Sequence, residues 1–189
     1  MCAADALRLT VGSRRGCRFR PWDYYVVGLV KLARLSRLIG LCQSLDIRNT
    51  PDQLNKLRGC TVIEGQLRIV LIERTNHTHF ENVSFPELRE ITGYLVLYRV
   101  RGLRTLGDLF PNLSVIRGNQ LFKDYALVIY DMESLLNLGL RSLTHILRGS
   151  VRIEHNDRLC YVDTVDWAAI APQGTTNIVR VSIATLRNE

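Results

Sequence analysis

Hydrophobic and polar residues along the chain form a sequence motif that occurs four times. Each copy ends a turn with a glycine and continues with apolar residues at alternate positions, which is typical of a β-strand with one buried face. The glycines are Gly65, Gly93, Gly118 and Gly149, and they lie 28, 25 and 31 residues apart, within the range of solenoid repeats. One such unit cannot bury its own apolar face, so the pattern predicts coils that stack on one another.

Alternation within the strands separates residues that face the core from residues that face outward. The predicted inward residues are Leu67, Ile69, Leu71, Leu95, Leu97, Leu127, Ile129, Val151 and Ile153. The predicted outward rows are Arg68, Val96, Val128 and Arg152, and then Val70, Tyr98, Tyr130 and Glu154. In the third copy a short insertion separates Gly118 from its strand, and Phe122 of this insertion is expected at the edge of the rows. Valines and tyrosines ringed by charges predict a protein-binding surface. The alternative is that such residues simply favour strands.

Short elements are predicted around the repeat. Residues 46–49 are typical of a first strand, and a helix is expected to start at Thr50, which can cap it before Pro51. A second helix is predicted over residues 162–170, with Asp163 as its cap and Trp167 facing inward. The leucines between the strands are expected to pack in the core.

The net charge of +7 is concentrated at the start of the chain. Residues 1–41 carry eight Lys or Arg and two Asp side chains, whereas the other 148 residues carry 17 basic and 16 acidic side chains. A nucleic-acid-binding protein carries its basic stripe on the folded domain. This distribution argues against a nucleic-acid partner.

Cysteines and glycosylation signals favour the secretory pathway. Five cysteines are present, and sequence alone leaves their pairing open, although a bond between Cys42 and Cys60 would close a loop of only about 19 residues. Three N-x-[ST] acceptors occur, at Asn76, Asn82 and Asn112. The apolar run at residues 26–30 is too short for a clear signal peptide, and no stretch has the ~18 apolar residues of a membrane span.

Signals of catalysis and metal binding are weak. The sequence has no H-E-x-x-H, G-x-S-x-G, Walker or G-x-G-x-x-G motif. His77 and His79 lie close together, but no second pair of ligands accompanies them, so solvated histidines are the better interpretation. We therefore predict no enzymatic activity, no cofactor and no metal site.

Several long sequence segments resemble the first receptor L domain of the insulin receptor family. This family includes the insulin-like growth factor receptor and the insulin receptor-related receptor. The resemblance runs almost without gaps from about residue 42 to residue 179. The segments are LDIRN at 45–49, CTVIEG at 60–65, LGDLFPNLSVIRG at 106–118, YALVIY at 125–130, RGSVRIE at 148–154, LCY at 159–161 and VDW at 165–167.

The resemblance implies a mainly β protein with short helices, folded as a right-handed β-helix of leucine-rich-like coils, with a disulfide between Cys42 and Cys60. It implies that an insulin-like peptide hormone binds the central sheet face. The positions that match the family's hormone contacts are Asp46, Arg48, Asn49, Arg68, Val70, Leu71, Val96, Tyr98, Phe122 and Tyr130.

The resemblance also predicts the organisation of the chain. Residues 1–41 are expected to be a leader or a non-native extension, residues 42–180 the L domain, and residues 181–189 a tail foreign to the family. The parent protein would be an extracellular-facing receptor tyrosine kinase whose remaining domains form a homodimer. The alternatives are a secreted binding or decoy protein and an incomplete receptor fragment.

Overall fold

A computed structural model of the protein describes residues 40–180. The predicted leader, except for its last two residues, and the predicted tail over residues 181–189 lie outside the described residues. Within the described part, nine strands all pair in parallel. They are β1 (Leu41–Arg48), β2 (Val62–Ile72), β3 (Glu90–Ile91), β4 (Leu95–Val100), β5 (Val115–Ile116), β6 (Tyr125–Tyr130), β7 (His145–Ile146), β8 (Ser150–Glu154) and β9 (Ile178–Val179).

The strands form two strips that share the long strand β2. The main sheet has the order β1, β2, β4, β6, β8, β9, and the second sheet continues from the start of β2 through β3, β5 and β7. Each coil contributes one strand to the main sheet, in a constant register that aligns Leu67, Leu95, Leu127 and Val151. The protein is therefore mainly β, as predicted, with stacked coils.

The core lies between these two sheets and the connecting loops. Eight of the nine predicted inward residues are fully buried; only the prediction for Leu71 is wrong, since its side chain is 37% exposed. Its φ of +57° places it in the left-handed region, which breaks the alternation and turns the side chain outward. Residues at the same point of the other coils are also left-handed, namely Asn49, Arg99, Asp131 and His155.

The repeat glycines are required because successive turns touch through their backbones. The N–H of Gly93 donates to the carbonyl of Gly65 at 2.7 Å, and the N–H of Gly118 donates to the carbonyl of Gly93 at 3.1 Å. A Cβ on Gly118 would lie 2.1 Å from the carbonyl oxygen of Arg148, and its φ is +67°. A side chain at this position would push the coils apart.

The helices are short. They are 3₁₀ helices at Pro51–Leu57 and His77–His79, and single α-helical turns at Leu106–Leu109 and Trp167–Ile170. Thr50 precedes the first helix but makes no side-chain cap. The predicted helix over 162–170 is only its last turn, where the carboxylate of Asp166, not Asp163, accepts from the N–H of Ala169 at 3.0 Å. None of the helices in residues 40–180 is long and apolar enough to cross a membrane.

The first coil is closed by a disulfide. Cys42 of β1 is bonded to Cys60, which precedes β2, with their Cα atoms 5.6 Å apart. This confirms the predicted pair. The first strand is longer than the predicted residues 46–49, because β1 starts at Leu41 and pairs with β2 along its length. The disulfide and the strand pairing together fix β1 at one edge of the main sheet.

Candidate functional site

The outer face of the main sheet carries an apolar cluster that is separate from the core. Val70, Val96 and Val128 are only 4–5% exposed, although they face away from the interior of the coils. Five half-buried aromatic side chains pack around them: Tyr94, Tyr98, Phe122, Tyr125 and Tyr130. We call these eight residues the apolar patch.

Strand register positions the patch. Val96 of β4 pairs with Val128 of β6, and two residues further Tyr98 pairs with Tyr130, so both residue types repeat across neighbouring coils. The rings of Tyr98 and Tyr130 lie 6.0 Å apart at their centroids, within the range of favourable aromatic pairs. The imidazole of His155 extends this stack, 4.8 Å from the ring of Tyr130.

The insertion in the third coil folds back onto the same face. Phe122 and Tyr125 exchange backbone hydrogen bonds of 2.9 and 3.1 Å, which close a tight turn with Lys123 in the left-handed conformation. The ring of Phe122 then lies 5.9 Å from the ring of Tyr94. The turn therefore forms a wall at one side of the patch.

A groove of about 450 Å³ runs over the patch. It is lined by Arg48, Arg68, Val70, Leu71, Val96, Tyr98, Phe122, Lys123, Tyr125, Val128, Tyr130 and Arg152. The floor is apolar, the walls are aromatic, and the charged residues of the lining are all basic. Aromatic side chains and arginines on a concave apolar surface are characteristic of sites that bind proteins or peptides.

Ion pairs organise the basic rim. At one end, the guanidinium of Arg48 donates from Nε and Nη2 to the two oxygens of Asp46, both at 2.6 Å. This hydrogen bonding is the main cause of a pKa of Asp46 below its ordinary value, with a smaller contribution from the charge of Arg68. At the other end, Arg152 donates to Glu154 at 2.7 Å.

The paired arginine at the far end also contacts the aromatic walls. The guanidinium carbon of Arg152 lies 5.6 Å from the ring centre of Tyr125 and 5.4 Å from that of Tyr130. Cations at this distance from a ring face are attracted by its quadrupole. Arg152 is thus held by a carboxylate and two rings at once.

The structure brings most of the sequence-predicted contact residues together. Eight of the ten line the groove, namely Arg48, Arg68, Val70, Leu71, Val96, Tyr98, Phe122 and Tyr130. Asp46 lies directly beside them through its ion pairs with Arg48 and Arg68. Asn49 borders a neighbouring depression that shares Leu71 with the groove. Hormone binding by these residues stays a prediction.

Three residues of the groove or the patch were not predicted from the sequence. Tyr94 directly follows a repeat glycine. In this coil the predicted outward rows start at the third residue after the glycine, so they do not include Tyr94. Tyr125 precedes an irregularity in the register between β6 and β8, and Lys123 lies in the inserted turn. An aromatic residue next to the repeat glycine was the available signal for Tyr94.

The loop with the two histidines shows ordinary polar contacts. His77 lies 3.5 Å from Glu81, and the Nδ1 of His79 lies 2.7 Å from the Oδ1 of Asn76. Within residues 40–180, no group of three His, Cys, Asp or Glu side chains is arranged to hold a metal ion. The predicted glycosylation acceptors are Asn76 in this loop, Asn82 and Asn112. Asn82 is exposed, whereas Asn112 is half-buried and its side-chain amide donates to the carbonyl of Pro86 at 2.8 Å.

Comparison with known proteins agrees with this geometry. The family model described as "Receptor L domain" matches residues 59–171. The chain belongs to the receptor L domain family. It is 51% identical over 152 residues, 80% of the chain, to an insulin-like peptide receptor of Branchiostoma lanceolatum, and 51% identical over 146 residues, 77% of the chain, to the insulin-like receptor of Drosophila melanogaster.

The resemblance to the first L domain of the insulin receptor family is thereby confirmed. The insulin receptor of Xenopus laevis is also 49% identical over 142 residues, 75% of the chain. These alignments cover 11%, 7% and 10% of the respective relatives. The L domain therefore spans about a tenth of the length of the curated relatives that it matches.

Proposed function

We propose that this L domain is the ligand-binding module of an insulin receptor-like receptor and binds an insulin-like peptide on the apolar patch. The observation that carries the proposal is the position of the patch. Its residues form a second apolar cluster, separate from the core, on the outer face of the main sheet in adjacent coils. Proteins similar in sequence are named as an insulin-like peptide receptor, an insulin receptor and an insulin-like growth factor 1 receptor. No catalytic role is assigned to the domain.

The half-buried tyrosines are the natural anchors of such a complex. Tyr98 and Tyr130 line the groove, and their rings contact each other on neighbouring strands. Rigid aromatic residues bury a large area at little conformational cost and dominate many interfaces. Val96 and Val128 lie two residues before them on the same strands and provide an apolar floor for the ligand.

The proposal is tested by truncating these anchors in the 189-residue chain. Tyr98→Ala and Tyr130→Ala should each weaken binding of labelled insulin or insulin-like growth factor 1 by about 2 kcal/mol, roughly 30-fold. Isothermal titration calorimetry measures the affinity, and circular dichroism verifies folding. Tyr161→Ala is the matched control, because Tyr161 is 75% exposed and outside the groove. Unchanged affinity in both groove variants would move the site to another surface.

The wider architecture is part of the same proposal. We infer that the coils wind as a right-handed β-helix over residues 42–180. Residues 1–41 would be a leader or a non-native extension, and residues 181–189 a tail foreign to the family. The parent receptor would present this domain outside the cell, with glycans on Asn76, Asn82 and Asn112, and act as a homodimeric tyrosine kinase. The parallel strands, the disulfide and the names of the relatives support this wider proposal.

A further inference from the structure

We propose that Arg68 is a specificity-determining residue that binds a carboxylate of the peptide ligand, next to the apolar side chains that occupy the patch. The inference rests on the proposed function, since it concerns the same groove. It adds the chemistry of the preferred partner, which is an apolar peptide segment that carries an acidic group. Lys123 at the wall of the groove would assist by its charge.

Arg68 lacks a good partner. Its Nη1 lies 3.5 Å from the Oδ2 of Asp46, but both oxygens of that carboxylate already accept hydrogen bonds of 2.6 Å from Arg48. The Nε of Arg68 is buried and has no hydrogen-bond acceptor. Every other buried side-chain nitrogen or oxygen in residues 40–180 has a hydrogen-bond partner. A buried donor without an acceptor costs free energy, and a carboxylate that reorders this side chain would recover it.

The position of Arg68 makes it available to a ligand. Strand register places it between Asp46 of β1 and Val96 of β4, so its side chain borders the valine floor. The side chain is 32% exposed and lines the groove. An acceptor that reaches Arg68 would therefore come from a molecule seated on the apolar patch.

The charges around the groove favour an anionic group. Its lining contains four basic side chains, Arg48, Arg68, Lys123 and Arg152, and no carboxylate. Arg48 is paired with Asp46 at 2.6 Å, and Arg152 is paired at 2.7 Å with Glu154, which also pairs with Arg180 at 3.2 Å. Within the described part of the chain, Lys123 forms no ion pair. Arg68, which reaches its carboxylate only at 3.5 Å, and Lys123 are thus the least neutralised cations of the lining.

The shape of the guanidinium distinguishes Arg68 from a lysine at the same position. A planar guanidinium binds a carboxylate through two parallel hydrogen bonds, which an ammonium group cannot reproduce. Arg68→Lys retains the charge and loses the fork, whereas Arg68→Gln loses both. The two variants together separate charge attraction from bidentate recognition.

The test uses the 189-residue chain with insulin and insulin-like growth factor 1 as probes. Arg68→Gln should weaken binding about tenfold, and Arg68→Lys by less, for the probe that carries the matching carboxylate. Arg89→Gln is the matched control, since Arg89 is exposed and lies outside the groove. Each Asp and Glu of that probe is then changed singly to Asn or Gln. One of these changes should weaken binding to the wild type but have little further effect on Arg68→Gln.

The possible results separate the two proposals. Binding of either probe with equal affinity by wild type and Arg68→Gln, and without coupling to any probe carboxylate, would overturn the role of Arg68 and leave the proposed function intact. Absence of binding by the folded wild-type chain would overturn both. Coupling to one carboxylate, with Arg68→Lys intermediate, is the result that we expect.

Discussion

The main sheet and the second sheet belong to the same coils, yet their outer faces differ. On the main sheet, Val70, Val96 and Val128 are covered by aromatic side chains and nearly excluded from water. On the second sheet, the corresponding outward row is half-buried or exposed, and its residues are Val62, Glu90, Val115 and His145. Glu90 in this row forms an ion pair with Arg117 of the next coil.

The inner faces show no such difference. Ile63, Ile91, Ile116 and Ile146 of the second sheet are as buried as the leucines of the main sheet. Stacking therefore requires an apolar inner face on both sheets, and it tolerates a charged outer face on one of them. The apolar patch is consequently not a requirement of the architecture, which favours a role in binding over simple strand preference.

The largest effect is expected when the inner face is broken. Leu97→Ala removes a fully buried side chain of the main sheet, and it should lower the free energy of unfolding by about 2–5 kcal/mol through lost transfer energy and a cavity. Urea denaturation monitored by circular dichroism measures the loss. Peptide affinity of the molecules that remain folded should be unchanged, because Leu97 points away from the groove. A loss below about 1 kcal/mol would contradict the division into inner and outer faces.

The inward and outward rows of the strands were predictable from the local pattern. Alternation assigned both outward rows and eight of nine inward residues correctly, because register across parallel coils is set by which side chains must be buried. It was wrong at Leu71, whose outward direction depends on a left-handed backbone that no side-chain pattern reveals. The neighbouring coils place Arg99 and Asp131 in the same conformation, so the turn is a property of the stack.

The chemistry of the groove needed the three-dimensional structure. Phe122 was placed at the edge of the patch from sequence, but the turn that brings Lys123 and Tyr125 to the same wall depends on hydrogen bonds within the insertion. The unequal pairing of Arg48 and Arg68 with one carboxylate is likewise a matter of distances. Residue types predict the presence of such groups, whereas packing decides which of them is left without a partner.

A matched pair of substitutions compares the two outer faces directly. Val96→Thr introduces a hydroxyl beneath the aromatic cover of the patch and should cost about 1–2 kcal/mol of unfolding free energy, because the hydroxyl loses its water. Val115→Thr makes the same change on the half-buried outer row of the second sheet and should stay within about 0.5 kcal/mol. Urea denaturation of both variants at pH 7 measures the difference.

The same pair also reports on binding. Val96→Thr should weaken the affinity for insulin or insulin-like growth factor 1, whichever binds the wild type, since its position lines the groove, and Val115→Thr should leave that affinity unchanged. Equal effects of the two substitutions on stability and on affinity would remove the distinction between the faces.

The smallest effect concerns the ion pairs at the rim of the main sheet. The hydrogen bonds from Arg48 lower the pKa of Asp46 below its ordinary value of 3.8 in the folded protein. A depressed carboxyl pKa adds stability at pH values above the unfolded pKa, and this addition is lost as the pH falls through the folded pKa. The stability difference between wild type and Asp46→Asn should therefore be largest near neutral pH and shrink below about pH 4.

Urea midpoints of both proteins at pH 7, 5, 4 and 3 measure this convergence. The effect is small because the side chains of Asp46 and Arg48 are 39% and 44% exposed, and solvent screens their attraction. Asp52→Asn is the control, since Asp52 is an exposed residue of the adjacent 3₁₀ helix outside the ion-pair cluster. A difference between wild type and Asp46→Asn that stays constant down to pH 3 would show that the carboxylate at the rim contributes no pH-dependent stability, in contrast to the charge pairing that the groove geometry implies.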